Sequence, residues 1–489
     1  MKKILCPEFP AALFIILTGA LLSYFFKTIH QITFVSPDEL LWMLRSNIFM
    51  ERFLNGDFSG LIQSSQPGVM VMWLVGPAMY LSQFNFELIT NLLDDLNQAG
   101  IPYNVINSND SVYYQPYQKL SFLFNLPLLA VLFIFTLCFY FSLRKLKFSK
   151  IKSLTALSFL ASSSCYFLFF VTPADKLLTV FMTLSLFGLL IYCDKNHGNS
   201  CQSFLPREGL GVGFSANLTH LQPLPKMRLL ILNRKKFLIA SAVLAAWAAL
   251  TKLSALFLLP FSLLVLIIYK YKNVRSIIKD YSLWIIIFLI TSVIFLPTII
   301  TNSETAINLL LNNTQDRLII NSPNIDNSSP FLFIAIILTY LSDSSLISLG
   351  PLALICLTMF FIFTLVKVSL RAERGNFVAI TQRARLQNYF TFYRNSKNIF
   401  VLILYLFLFF IFITLFSKTY SFRYLAPLFP IIYLLAGIGL VNLVDLIIKK
   451  FHIPKKLAYF EMIMLIFLSQ LLFIFTSRIE KIEILPDFH

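Results

Sequence analysis

Apolar stretches close to twenty residues long recur along the whole of this 489-residue chain. A helix rises about 1.5 Å per residue, so about twenty apolar residues suffice to cross a hydrocarbon layer of about 30 Å. Inside lipid every backbone N–H and C=O must find its partner within the protein, which leaves helices and closed barrels. Unbroken apolar runs of this length, without the alternation of a barrel strand, select helices. The fold class expected is therefore an all-α polytopic membrane protein. Composition agrees, with 57% hydrophobic residues, 52 Phe and only 13% charged residues. An ordinary soluble domain carries about a quarter charged residues.

The formal net charge of +17 would suggest nucleic acid in a soluble chain. Here it reports topology first, because Lys and Arg are retained on the cytoplasmic side. Five loops are basic: 144–152, 194–236, Lys270–Asp280, 367–397 and Lys449–Lys456. The segment Asn85–Tyr117 carries Glu87, Asp94, Asp95 and Asp110 with no Lys or Arg, and belongs outside, as does Thr301–Pro330. Val69–Phe84 and Phe331–Tyr340 would then have both flanks outside. Both are short for a span and read as interfacial or re-entrant helices.

Eleven spans remain, at about 9–27, 120–142, 153–171, 177–193, 237–251, 253–270, 281–300, 350–367, 399–417, 424–446 and 457–476. The first follows Met1-Lys2-Lys3 and has the look of a signal-peptide core. It lacks a small-residue cleavage site and is read as a retained helix. The stretch 237–251 is marginal in length and forms either its own span or one broken helix with its successor. The chain is read as one integral-membrane domain over 1–489, with extracytoplasmic loops at 28–119 and 301–349 and cytoplasmic loops at 194–236 and 367–398. Residues 196–226 and 371–385 look like tolerated insertions at loop tips. The six cysteines show neither metal-ligand spacing nor a disulfide framework.

Within the first outer loop, Ser36-Pro37-Asp38-Glu39 has the order of a helix start, with a capping residue, a proline suited to the first helical position and an acid three residues after the cap. Acids there also suit the positive end of the helix dipole. On this stretch alone, Asp38 and Glu39 read first as the capped first turn of a helix and only second as a working carboxylate pair. Downstream, Gln66-Pro67-Gly68 is a turn that opens an apolar helix carrying Trp73. Cations placed outside by the topology need a separate reason: Lys176 beside Asp175 at a helix start, Lys252 between two apolar halves, and Lys418 and Arg423 flanking a short turn. Each alone reads as a snorkelling anchor. Together they suit an anionic group at the membrane surface.

Five stretches taken in order resemble family 39 glycosyltransferases of the GT-C class, the group that holds protein O-mannosyltransferases and the aminoarabinose transferase of lipid A. They are Pro37-Asp38-Glu39, NGDFSG with QPGVMVMWL, TPADKLLTVF, AALTKLSALFLLP and KTYSFRYLAPLFP, spread from about residue 30 to residue 440. The resemblance implies a GT-C fold with about eleven transmembrane helices and a long first extracytoplasmic loop containing interfacial helices. It implies an inverting transfer of a sugar from a polyprenyl-phosphate donor to a hydroxyl of a lipid or glycan, with protein the less favoured acceptor, on the outer face of a bacterial inner membrane. Asp38 matches the family's catalytic base and Glu39 its acidic neighbour. Asp175 is similar to a second acidic site, and Lys176, Lys252, Lys418 and Arg423, with Tyr424 and Gln66, would bind substrate. Gln66 stands where relatives often have His. No cofactor is expected and a divalent cation stays open. The expected partners are donor, acceptor and membrane lipids, with no nucleic acid; oligomeric state is left open.

Two other readings compete. A transporter or flippase of lipid-linked sugars would place ionisable residues near the midplane and show paired broken helices. An O-antigen polymerase or ligase would carry its large outer loop late in the chain, whereas the largest here is the first.

Overall fold

The computed structural model describes residues 9–30, 33–35, 37–61, 68–82, 91, 104–106, 111–162, 172–200, 225–271, 273–304, 356–360, 397–413 and 422–480. Gln66, Lys418, the interfacial stretch Phe331–Tyr340, most of the expected span 350–367 and the basic loop up to residue 396 lie outside these residues. The side chains of Asp38, Glu39 and Arg423 do too.

The all-α class holds, with one short ribbon among the described residues. Helix α1 covers Phe9–His30, α2 Pro37–Leu54, α3 Val69–Leu81, α4 Ser111–Lys145 and α5 Lys150–Ser162. Then come α6 (Pro173–Ser200), α7 (Pro225–Thr251), a 3₁₀ segment (Leu253–Phe257), α8 (Leu258–Lys270), α9 (Val274–Phe295) and the single turn α10 (Thr298–Thr301). After α11 (Lys397–Ile413) a second 3₁₀ segment, Phe422–Leu428, leads into α12 (Phe429–Phe451) and α13 (Lys455–Glu480). Among the described residues, five helical stretches are long and apolar enough to cross a membrane: Lys119–Lys145, Pro173–Asp194, Leu253–Lys270, Val274–Phe295 and Tyr424–Phe451. The chain is a membrane-embedded helical protein.

The ribbon pairs β1 (Thr33–Val35) antiparallel with β2 (Asn104–Ile106). These strands lie near the two ends of the expected first outer loop, so the ribbon ties the start of that loop to its finish. Helix α2 begins at Pro37, where the sequence places a helix start.

Two helices form the centre. In α5 every residue from Ser153 to Ser162 is buried, with α1, α4, α12 and α13 packed around it. Small residues let these backbones approach closely: a methyl group on Gly19 would sit 2.4 Å from the Ala161 carbonyl oxygen, and one on Gly437 2.9 Å from the Ala156 nitrogen. Such contacts are what holds helices together where lipid offers no hydrophobic gain. The buried hydroxyls of Ser153, Thr155 and Ser158 each bond the carbonyl four residues back, which satisfies them without a partner helix. The second centre is α6, almost wholly buried from Pro173 to Asp194 and packed by α3, α4, α7, α8 and the 422–428 segment.

The structure decides the reading of 237–251. The Ser185 hydroxyl of α6 donates to the Ser241 carbonyl of α7 at 2.8 Å, and eleven residues later Lys252 reaches Asp175 at the start of α6. Helix α7 therefore runs antiparallel to α6. Helix α8 then returns, because Lys270 at its end donates to the Tyr192 hydroxyl near the far end of α6, at 3.1 Å. The chain reverses at Lys252, whose backbone is extended (φ −157, ψ 135). Two legs of opposite direction meet there, rather than one interrupted helix.

Candidate functional site

The start of α6 is built by local rules. Thr172 precedes Pro173, and Asp175 is the third helical residue. The Asp175 N–H donates to the Thr172 hydroxyl oxygen at 3.3 Å, and that hydroxyl donates to Asp175 Oδ2 at 2.8 Å. A helix start favours a carboxylate through its unpaired N–H groups and dipole. The other oxygen, Oδ1, accepts from Lys252 Nζ at 2.6 Å. Asp175 is 1% exposed along its side chain and Lys252 12%, so this is a buried ion pair. Lys252 Nζ also lies 4.1 Å from the centroid of the Tyr424 ring, itself buried at the start of the helix leading into α12. Positive charge over an aromatic face is favourable, the more so out of water.

Three residues singled out in the sequence, Asp175, Lys252 and Tyr424, are thus brought into one cluster. Lys176 is buried next to Asp175, and Arg423 precedes Tyr424 in the 3₁₀ segment. Asp38 and Glu39 are the second and third residues of α2.

Helix α3 joins α2 to this cluster. Its capping residue, Gly68, has a left-handed backbone (φ 49, ψ 13). The Gly68 N–H donates to the Thr251 carbonyl at 3.1 Å, one of the carbonyls that the end of α7 leaves without a helical partner. A methyl group on Gly68 would fall 1.8 Å from the Trp42 ring, and one on Gly76 would fall 2.5 Å from Met50 Cγ. Trp42 and Met50 of α2 therefore meet Gly68 and Gly76 of α3 in the same order, so the two helices run parallel. Asp38 lies one turn before Trp42, toward the Gly68–Thr251 contact.

The rest of this end is aromatic and anchored. Trp73 Nε1 donates to the Phe295 carbonyl at 2.9 Å, closing the end of α9. Its ring packs on Phe53 and Phe295. The NGDFSG stretch docks through the Thr298 hydroxyl, which donates to the Phe58 carbonyl at 2.6 Å. Within that stretch the Asp57 carboxylate accepts from the Ser59 hydroxyl at 2.8 Å and the Gly60 N–H at 3.2 Å. These bonds, with help from the Arg52 charge, hold the Asp57 carboxyl below its ordinary range.

Sequence reading missed a second buried pair at the opposite end of the bundle, where Lys270 was counted only as a topological charge. Lys270 donates to Asp280, to the Tyr192 hydroxyl at 3.1 Å and to the Ser276 hydroxyl at 3.4 Å. It also missed the Gly68–Thr251 and Trp42–Gly68 contacts. The Thr172 cap was legible, since Thr and Asp three apart before an apolar run is a helix-start signature. Among the described residues no group of three or more His, Cys, Asp or Glu gathers as a metal site would require.

The fold and this cluster define a polytopic helical membrane protein with a buried cation held at the helix ends that the charge rule places outside. No protein-family model, curated protein or solved structure matches the chain.

Proposed function

We propose that the protein is an integral-membrane glycosyltransferase with a GT-C type fold of about eleven spans, active on the outer face of a bacterial inner membrane. It moves a sugar from a polyprenyl-phosphate donor to the hydroxyl of a lipid or glycan. The observation that carries this reading is the state of Lys252. An ammonium group has three N–H donors, and here one goes to Asp175 while the charge rests against the Tyr424 ring. Among the described residues no second acceptor is bonded to it, and phosphate oxygens would supply further ones.

The chemistry follows from where charge develops. Asp38 removes the proton from the acceptor hydroxyl as its oxygen bonds to the anomeric carbon. The carbon–oxygen bond to phosphate breaks on the opposite face, and the polyprenyl phosphate leaves with the electron pair. Lys252, with Lys176, Lys418 and Arg423, stabilises that growing charge in advance. Attack opposite the leaving group inverts the sugar carbon. Glu39 supports the helix start, and Gln66 and Tyr424 line the substrate.

A transporter of lipid-linked sugars, the competing reading, would form its site where helices are interrupted, whereas the reversal at Lys252 joins two separate helices. One experiment addresses both readings. Inner-membrane vesicles bearing wild-type or Asp38→Asn protein are supplied with radiolabelled polyprenyl-phosphate sugars. Label appears covalently on an acceptor with the wild type, and Asp38→Asn reduces it at least about 100-fold, the lower range of a general base's contribution. Full transfer by the variant sinks the base assignment, and movement of labelled lipid across the bilayer without transfer favours the transporter.

A further inference from the structure

We propose that Gly68 and Trp42 are positioning residues that set Lys252 in register with the start of α2. Trp42 is buried, and the Arg45 guanidinium lies over its ring at 5.1 Å from the centroid. The ring fills the volume that any side chain on Gly68 would need, at 1.8 Å from the first added carbon. Gly68 is thereby confined to glycine twice, by the ring and by its positive φ. Its N–H can then reach only one acceptor in the described contacts, the Thr251 carbonyl.

Thr251 is the last residue of α7, and the next residue is Lys252. A helix end with an unmet carbonyl is free to fray or to continue. Here the Gly68 bond holds the end at Thr251, and the backbone turns extended at Lys252 and carries its ammonium to Asp175. The chain of contact runs from α2 through the Trp42 ring to Gly68, then by one hydrogen bond to Thr251, then to Lys252. A shift of α2 along its axis moves the Trp42 wedge and releases the reversal. The functional weight of this coupling rests on the glycosyltransferase reading; the coupling itself does not.

The test labels lysines of the detergent-solubilised full chain with an amine-reactive reagent, and reads Lys252 and Lys270 separately by peptide mass spectrometry. In Gly68→Ala, Lys252 labelling rises roughly tenfold, as easing its release by about 1.4 kcal/mol gives. Lys270, paired at the opposite end, keeps its wild-type rate. Adding Trp42→Leu to Gly68→Ala makes room for the new methyl and lowers Lys252 labelling part of the way, the positive-φ strain at residue 68 remaining. If Gly68→Ala does not fold, Trp42→Ala takes its place: it removes the wedge and raises Lys252 labelling alone. Unchanged Lys252 labelling in a folded variant overturns the proposal. So does an equal rise at Lys270, which reports general loosening. A rise at Lys252 in a protein whose wild type transfers no sugar leaves the coupling standing and removes the glycosyltransferase reading.

Discussion

Lys252 and Lys270 sit at opposite ends of the same bundle and are buried to nearly the same degree, with 12% and 14% of their side chains exposed. Each pairs with an aspartate and each lies against a tyrosine ring. Their hydrogen bonds differ. Lys270 meets the Asp280 carboxylate and the Tyr192 and Ser276 hydroxyls, three acceptors for three donors. Asp280 is only ten residues away, across the turn between α8 and α9. That is a saturated clasp closing a helical hairpin. Lys252 reaches 77 residues back to Asp175 and finds one acceptor there. Burial and charge are similar, and what separates the two lysines is how many of their donors the described residues use.

The strongest way to break this comparison is to remove each pair whole. Losing one partner of a buried pair costs about 3–5 kcal/mol, whereas replacing both by apolar residues of similar volume is often neutral. Asp280→Leu with Lys270→Met is expected to fold and keep sugar transfer. Asp175→Leu with Lys252→Met is expected to fold and lose it. Thermal unfolding in detergent, run beside vesicle transfer, reads both. Loss of transfer in the Asp280→Leu, Lys270→Met double variant would erase the distinction.

Single substitutions sharpen it. Lys252→Gln raises the apparent donor KM by roughly tenfold, the loss of about 1.4 kcal/mol of binding, while Lys270→Gln leaves KM alone and lowers the unfolding temperature. Thr172→Val removes the cap on α6 and costs about 1 kcal/mol of stability, with a smaller rise in KM because Asp175 loses one of its two anchors.

Five of the expected spans, at 120–142, 177–193, 253–270, 281–300 and 424–446, were legible because apolar length is a local property of the sequence. The stretch 237–251 was ambiguous for a physical reason: its apolar part is short, and only the contacts at Ser241, Lys252 and Lys270 fix its direction. The ribbon of Thr33–Val35 with Asn104–Ile106 was not legible, since three-residue strands some seventy residues apart leave no periodic signal. At the candidate site, residue types could be named, including Asp175, Lys252 and Tyr424. Their meeting could not, because it depends on how α6, the reversal after α7 and the 422–428 segment pack. Gly68 was read as a turn; that it seats the Trp42 ring and holds Thr251 is a tertiary fact.

The smallest expected effect lies in the exposed NGDFSG turn. The Asp57 carboxyl is held below its ordinary range by the Ser59 and Gly60 hydrogen bonds. A depressed folded value means the stabilisation is present above the unfolded carboxyl's ordinary range and is lost as pH falls through the lower, folded value. Protection of the Gly60 amide, its exchange rate compared with the intrinsic rate at each pH, is expected to fall over that acidic window, and Asp57→Asn to abolish that fall.

The measurement that reaches the central claim most directly is mass spectrometry of envelope lipids and glycans from a deletion strain complemented with wild-type or Asp38→Asn protein. A species heavier by one sugar residue is predicted with the wild type and absent from both the deletion and Asp38→Asn. The same species at wild-type abundance in the Asp38→Asn strain, or no covalent difference between any of the strains, would contradict the account.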